Sequence, residues 1–183
     1  MATGQAKKHP SCRSFVCFGI TPSQNDLLIA TNDSSYIPAM QAMGATQWEI
    51  DDIRRHDRKA QGVTEKMEKQ AETAISKRYT LNGITVVRLP HDKCSPVTDR
   101  LFTEWPDGKE NLIILCFTDG KLPEINYFGR GDICKAMKEK FADVAETWGG
   151  GKGYGDPSAN AFAGCRTISH YMVVDFIVNF KMY

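Results

Sequence analysis

Residues 149–158 read Gly-Gly-Gly-Lys-Gly-Tyr-Gly-Asp-Pro-Ser, the stretch of this chain best suited to holding an anion. Five glycines in seven positions permit positive φ and let backbone N–H groups approach an anion closely, while Lys152 adds a charge. The chemistry expected of such a loop is phosphate binding. It is not a Walker A loop, because Glu146 stands where the first glycine would be and Gly153 follows the lysine instead of serine or threonine. Nor does it follow a strand, as a dinucleotide fingerprint would. The expectation is a loop that comes after a helix and holds phosphate in a backbone nest. The ordinary alternative is a helix-to-strand connection with a glycine C-cap.

Two His-Asp doublets, His56-Asp57 and His91-Asp92, together with Asp119, are the nitrogen and oxygen donors that a manganese, iron or zinc phosphohydrolase would use. A metal needs three or four ligands to converge. His56 falls in a charged helical pattern, while His91 and Asp92 follow Pro90 in an expected surface loop, so solvated polar residues are the plainer reading. Ser95 beside Cys94 and His91 has the elements of a nucleophile and base, but residues so close along one loop rarely attain the mutual geometry. A helix cap at Ser95 before Pro96 is expected instead. His170, beside an apolar C-terminal segment, reads as a satisfied core histidine.

The six cysteines, at 12, 17, 94, 116, 134 and 165, contain no C-x-x-C pair, which argues against a zinc ribbon or a redox motif. Reduced thiols are expected, with Cys116 and Cys134 in the core. The 23 Lys and Arg residues against 22 acidic ones leave no strong positive field, so contact with nucleic acid would have to be local. The longest basic run, residues 54–59, sits in a helical pattern and reads as a solvated helix face. Aromatic and basic residues are not interleaved as in a single-strand-binding platform. Residues 15–20 are too short for a signal-peptide core. Asp175 and Asn179 interrupt the C-terminal apolar run, so no membrane association and a cytoplasmic location are expected.

The elements that must position these groups change character near residue 80. Residues 1–80 read as a mainly helical section after a short strand at 13–20. Thr46 and Glu49 form a capping box, with Ile50 and Ile53 on the buried face behind it. Pro38 suits the first turn of a helix over 34–43, which leaves Asn32-Asp33-Ser34-Ser35 as a loop. Another helix begins near Thr64 and buries Met67, Ala71, Ala74 and Ile75. Residues 81–183 read as α/β: strands at 84–89, 112–117 and 124–128, a helix over 94–105, a helix over 132–148, the glycine loop, a strand at 160–165 and a terminal apolar segment. Strand 112–117 is apolar throughout, as expected of one covered on both faces. Ile133, Met137, Phe141, Val144 and Trp148 form the stripe of the 132–148 helix, with Asp132 as its cap and the three glycines as its end. The fold class expected is a layered α/β sheet with flanking helices, preceded by a mainly helical section.

The run Ile125-Asn126-Tyr127-Phe128-Gly129-Arg130-Gly131-Asp132, the amphipathic helix after it, and the glycine run leading to Ser158-Ala159-Asn160-Ala161-Phe162-Ala163-Gly164 resemble the DHHA1 domain of DHH/DHHA1-family phosphoesterases. The helical stretch over 32–62 resembles the region that follows the catalytic motifs in some members. The resemblance implies a DHHA1-like module over 81–183 that binds a phosphorylated small ligand or a short oligonucleotide end. It also implies ligand contacts at Arg130, Gly149, Gly150, Gly151, Lys152, Gly153 and Asn160. Catalysis does not carry over, because the metal-holding DHH triplet is absent and Lys152 stands where the family has histidine. Manganese or magnesium would enter only with a catalytic centre of its own or one supplied by a partner chain. The alternatives are a self-contained metal phosphohydrolase and a non-enzymatic interaction protein, with homo-oligomerisation open.

Overall fold

The computed structural model describes residues 21–102, 111–167 and 169–180, and the contacts within it divide the chain into two units, Met1–His56 and Asp57–Tyr183. The change in composition near residue 80 therefore falls inside the second unit. The strand expected at 13–20 and the end of the helix expected over 94–105 lie outside the described residues. No helix among the described residues is long and apolar enough to cross a membrane.

In the first unit, α1 (Gln24–Ala42) starts on a reciprocal cap. The Ser23 hydroxyl accepts from the Asp26 N–H at 3.2 Å, and the Asp26 carboxylate accepts from the Ser23 N–H at 2.9 Å. Tyr36, at φ 63° and ψ −162°, breaks the helix, and Pro38 lies in the turn that resumes it. Pro38 is thus where its missing N–H predicts, but Asn32 to Ser35 are helical and not a loop. Their poor helix propensity is overridden by a tertiary contact, in which buried Asn32 Oδ1 accepts from Arg54 Nη1 at 2.9 Å. Arg54 also stacks on the Tyr36 ring, 4.3 Å from its centroid. The Thr46–Glu49 capping box forms as expected at the start of α2 (Gln47–Ala60), with the Glu49 carboxylate accepting from the Thr46 N–H at 2.7 Å.

The basic run on α2 is not one solvated face. Arg54 is buried, and Arg58, which already belongs to the second unit, points among carboxylates of that same unit. Its Nε donates to Glu68 Oε1 at 2.7 Å on α3 (Glu65–Ser76), and its Nη1 pairs with buried Asp99 on α4 (Ser95–Phe102). Arg100 completes the network with Glu68 at 2.8 Å and Glu72 at 3.1 Å.

Among the described residues, six strands build the sheet of the second unit: β1 (Tyr79–Leu81), β2 (Ile84–Leu89), β3 (Leu112–Cys116), β4 (Glu124–Arg130), β5 (Glu146–Gly150) and β6 (Asn160–Arg166), in the order β1-β2-β3-β4-β6-β5. Only β2 and β3 pair in parallel, with α4 as their crossover; the other neighbours are antiparallel. Every residue of β3 is buried, as its apolar run predicts. Alternation sends Ile113, Leu115, Ile125 and Tyr127 to one face, under α5 (Gly131–Phe141) and α6 (His170–Val178) through Ile133, Met137, Phe141, Val173 and Ile177. On the other face α3 packs on β2 and against α4, and Phe102 meets Phe128 edge-on at 5.7 Å. This is the layered α/β arrangement with flanking helices that the sequence predicts.

The helix expected over 132–148 is shorter. Its stripe holds through Ile133, Met137 and Phe141 and stops there; Val144 is 74% exposed, and residues 146–150 are strand β5, paired to β6. The apolar spacing continued by coincidence. Trp148 is a strand residue whose indole lies where a side chain on Gly164 would be, since a Cβ there would come within 2.3 Å of the ring. Gly149 and Gly150 end a strand and not a helix, and Asp132 sits in the first turn of α5 rather than capping it.

Candidate functional site

The residues singled out in the sequence as phosphate ligands gather at one end of the sheet. Arg130 closes β4 and lies in register opposite Asn160, which opens β6; the turn of residues 151–159, carrying Lys152 and Gly153, connects β5 to β6 beside them. This turn is built onto the start of α5. The Gly131 N–H donates to Ala159 O at 2.9 Å, and the Gly155 N–H donates to Gly131 O at 2.8 Å. The approach is so close that a Cβ on Gly131 would stand 1.6 Å from Gly153 O, so only glycine is admitted there. Tyr127, in turn, takes the Arg130 N–H on its hydroxyl at 3.2 Å and donates to Asn111 Oδ1 at 3.1 Å.

The turn spends much of its donor capacity on itself. The N–H groups of Tyr154, Asp156 and Ala159 bond to Gly151 O, Gly153 O and Asp156 O, and that of Ser158 to the Asp156 carboxylate. What the end offers an anion is therefore side-chain charge more than a nest. Arg130 presents Nε and Nη2 to Asp132, Nε at 3.1 Å, which holds its guanidinium still and raises its pKa. Its Nη1 has no partner among the described residues. Lys152 is exposed, and Lys135, which sequence reasoning passed over, lays its stem 3.3 Å from where a Cβ on Gly155 would be. Lys135 stands on the first turns of α5, a position that only the folded turn brings to this end.

A second cationic surface lies elsewhere. A groove of about 790 Å³ beside α3 and the end of β2 is lined by Lys66, Lys69, Lys77 and Arg88, with Glu65 as its acid and Phe117 as its aromatic wall. The Arg88 guanidinium stacks on Phe117, 4.9 Å from the ring centroid. These cations are spread over 23 residues of sequence, so no run announced them.

The His-Asp doublets do not assemble. His56 is exposed on α2, its Nδ1 2.9 Å from Asp52 O. His91 is not a solvated loop residue: it is 4% exposed, Nδ1 accepts from the Lys93 N–H at 3.2 Å, and Nε2 faces Met67 O at 3.2 Å. That pattern requires a neutral ring protonated on Nε2, and burial pushes its pKa down. Asp92 is paired to Lys121 at 2.9 Å. Ser95 is not the cap of α4 but its first residue; its hydroxyl donates to Gln61 Oε1 at 2.9 Å, while Cys94 O accepts from the Val97 and Thr98 N–H groups. His170 packs its ring on Phe117 and Tyr171, yet its buried Nδ1 finds no partner among the described residues, so it is not the satisfied histidine expected.

At the opposite end of the sheet from Arg130, the cysteines make a cluster that sequence spacing gave no sign of. Cys94 Sγ and Cys116 Sγ stand 3.7 Å apart, and with a Glu124 oxygen they fall within 4.8 Å of one another. They are the only such group of three His, Cys, Asp or Glu donors among the described residues. The bond to Cys94, together with burial, holds the Cys116 thiol well above its ordinary pKa. Cys134 and Cys165 are single buried thiols pushed by burial up to about 12, as core cysteines should be. Cys12 and Cys17 lie outside the described residues. No family model matches the chain, and no curated protein sequence matches it.

Proposed function

We propose that this chain is a binding module for a phosphorylated ligand, a nucleotide or a short oligonucleotide end, seated at the Arg130 end of the sheet. The observation that carries the reading is the register of Arg130 opposite Asn160, with the Lys152 turn hydrogen-bonded to the first turn of α5 beside them. Arg130, Lys135 and Lys152 bring three positive charges to this end against Asp132, Asp156 and Glu139, the last 3.8 Å from Lys135 Nζ. Asp132 holds the guanidinium through Nε and Nη2, Nη1 is the donor assigned to phosphate, and Asn160 adds an amide that can read a sugar or base edge. The reading accords with the resemblance to the substrate-binding part of a DHH-family phosphoesterase. In that role the chain binds, and hydrolysis would need a metal centre from a partner chain.

Calorimetry on the whole chain with a nucleoside monophosphate and a 5′-phosphorylated short oligonucleotide tests this. Loss of one charge-assisted contact costs about 1.5–3 kcal/mol, so Arg130→Ala should weaken binding roughly 10–100-fold, with Lys152→Ala at the lower end. Lys66→Ala combined with Lys69→Ala in the α3 groove should leave affinity unchanged. Binding that survives the Arg130 and Lys152 changes but falls with the groove pair would move the ligand to the groove and overturn this placement.

A further inference from the structure

Strands β2 and β3 are the one parallel pair among the described strands, and the space beyond their carboxyl ends is where open α/β sheets place ligands. Cys116 ends β3, Cys94 precedes α4 just after β2, and Glu124 opens β4 opposite Cys116 in register. Two thiols and a carboxylate from three separate segments thus meet at one point. We propose that Cys94, Cys116 and Glu124 form a site for a single thiophilic divalent cation, with Zn²⁺ as the fitting ion.

The spacing is that of a chelate. Two sulfurs each about 2.3 Å from a tetrahedral zinc are roughly 3.8 Å apart, and Cys94 Sγ and Cys116 Sγ stand at 3.7 Å. Both sulfurs are therefore placed for the ion with little movement. Two thiolates and a carboxylate against a divalent ion leave one net negative charge, once the two thiol protons have left to solvent.

The surroundings suit that charge. Arg166 Nη2 donates to Glu124 Oε2 at 2.9 Å, which fixes the carboxylate and sets beside it a guanidinium that it shares, through Nη1, with exposed Glu146. Asn126 Nδ2 donates to Glu124 Oε1 at 2.9 Å and lies 3.3 Å from Cys94 Sγ and 3.9 Å from Cys116 Sγ. An amide aimed at both sulfurs and the carboxylate is the kind of outer-shell donor that orients metal ligands and stabilises thiolate charge. Three protein donors leave a fourth position for water or an exogenous ligand, the open arrangement of sites that do chemistry rather than the closed set of structural zinc. Cys94 is only half-buried, which leaves a way in.

The test uses the whole chain, reduced and stripped with a chelator, then titrated with Co²⁺ and with Zn²⁺ in competition with a chromophoric chelator. The expected result is one equivalent bound, with thiolate-to-cobalt charge-transfer absorption and the visible bands of a tetrahedral ion. Cys94→Ser and Cys116→Ala should each weaken binding by more than the roughly 10–100-fold that loss of an outer-shell partner brings. Glu124→Gln should weaken it while keeping the charge-transfer band. A Cys12→Ser, Cys17→Ser variant should bind as the unaltered chain does, and zinc should raise the thermal midpoint of every variant that binds. The proposal fails if the reduced chain shows no charge-transfer band, if binding follows Cys12 and Cys17 instead, or if mild oxidation joins Cys94 to Cys116 while Zn²⁺ offers that pair no protection.

Discussion

Replacing Gly131 by alanine tests the packing on which the proposed phosphate site depends. A Cβ at this position would stand 1.6 Å from Gly153 O, 2.6 Å from Gly153 C and 2.9 Å from Asp156 O, all of them backbone atoms with no side chain to swing aside. An ordinary contact is about 3.4 Å or more, so the turn must retreat by nearly 2 Å. The Gly131-to-Ala159 and Gly155-to-Gly131 hydrogen bonds cannot survive that movement. Two such bonds at about 0.5–1.5 kcal/mol each, plus about 1–3 kcal/mol of overpacking, give a loss of about 2–6 kcal/mol. Urea unfolding followed by circular dichroism measures it. Gly83→Ala is the control, because Gly83 has φ +80° but nothing within 4 Å of its would-be Cβ, so it carries the left-handed backbone cost of about 1 kcal/mol without a clash. If Gly131→Ala lowers stability no more than Gly83→Ala does, the turn is not seated on α5 and the site built from it loses its frame.

Two further outcomes follow from buried polar groups. His91 is held neutral in the fold, its pKa pushed below the ordinary 6.5, so as pH falls through 6.5 the unfolded chain takes up a proton that the folded chain refuses. Stability is full above that value and declines below it by up to about 1.4 kcal/mol per pH unit; urea midpoints between about pH 8 and pH 5 should show the decline, and His91→Gln should flatten it. An unchanged slope in that variant would refute the assignment. In the Arg58–Asp99 pair, Asp99 is almost wholly enclosed and Arg58 keeps Glu68 as a second partner. Asp99→Ala should therefore cost about 2–3 kcal/mol, somewhat under the roughly 3–5 kcal/mol of a fully buried pair. A double-mutant cycle with Arg58→Ala that gives coupling below about 0.5 kcal/mol would contradict the pairing.

Much of the fold was legible because it rests on local signals. The Thr46 and Thr64 helix starts, the apolar run of β3 and the strands expected at 84–89, 124–128 and 160–165 each follow from a cap or a period within a few residues. What escaped is what depends on distant partners. Asn32 is helical because Arg54, 22 residues on, satisfies its side chain. Residues 146–150 look like the tail of a helix until β6 supplies the hydrogen bonds and Gly164 the room for Trp148. The candidate site divides in the same way. Arg130, Lys152 and Asn160 could be singled out from residue type and resemblance, whereas Lys135 could not. Cys94, Cys116 and Glu124 carried no motif, because their ligand spacing exists only across strands.

The order β4-β6-β5 bears on how the chain folds as it is made. Strand β5 pairs with β6 alone, and β6 comes later in the chain. Until residue 166 has emerged from the ribosome, residues 146–150 have no backbone partner, β4 has an open edge, and Arg130 has no Asn160 opposite it. Synthesis proceeds at about 5–20 residues per second, so that edge stands uncovered for about a second or more. A chain that stops short of β6 would leave β4 with an open edge, β5 without a partner strand and Arg130 without Asn160 opposite it, and it should be a substrate for chaperones or proteases.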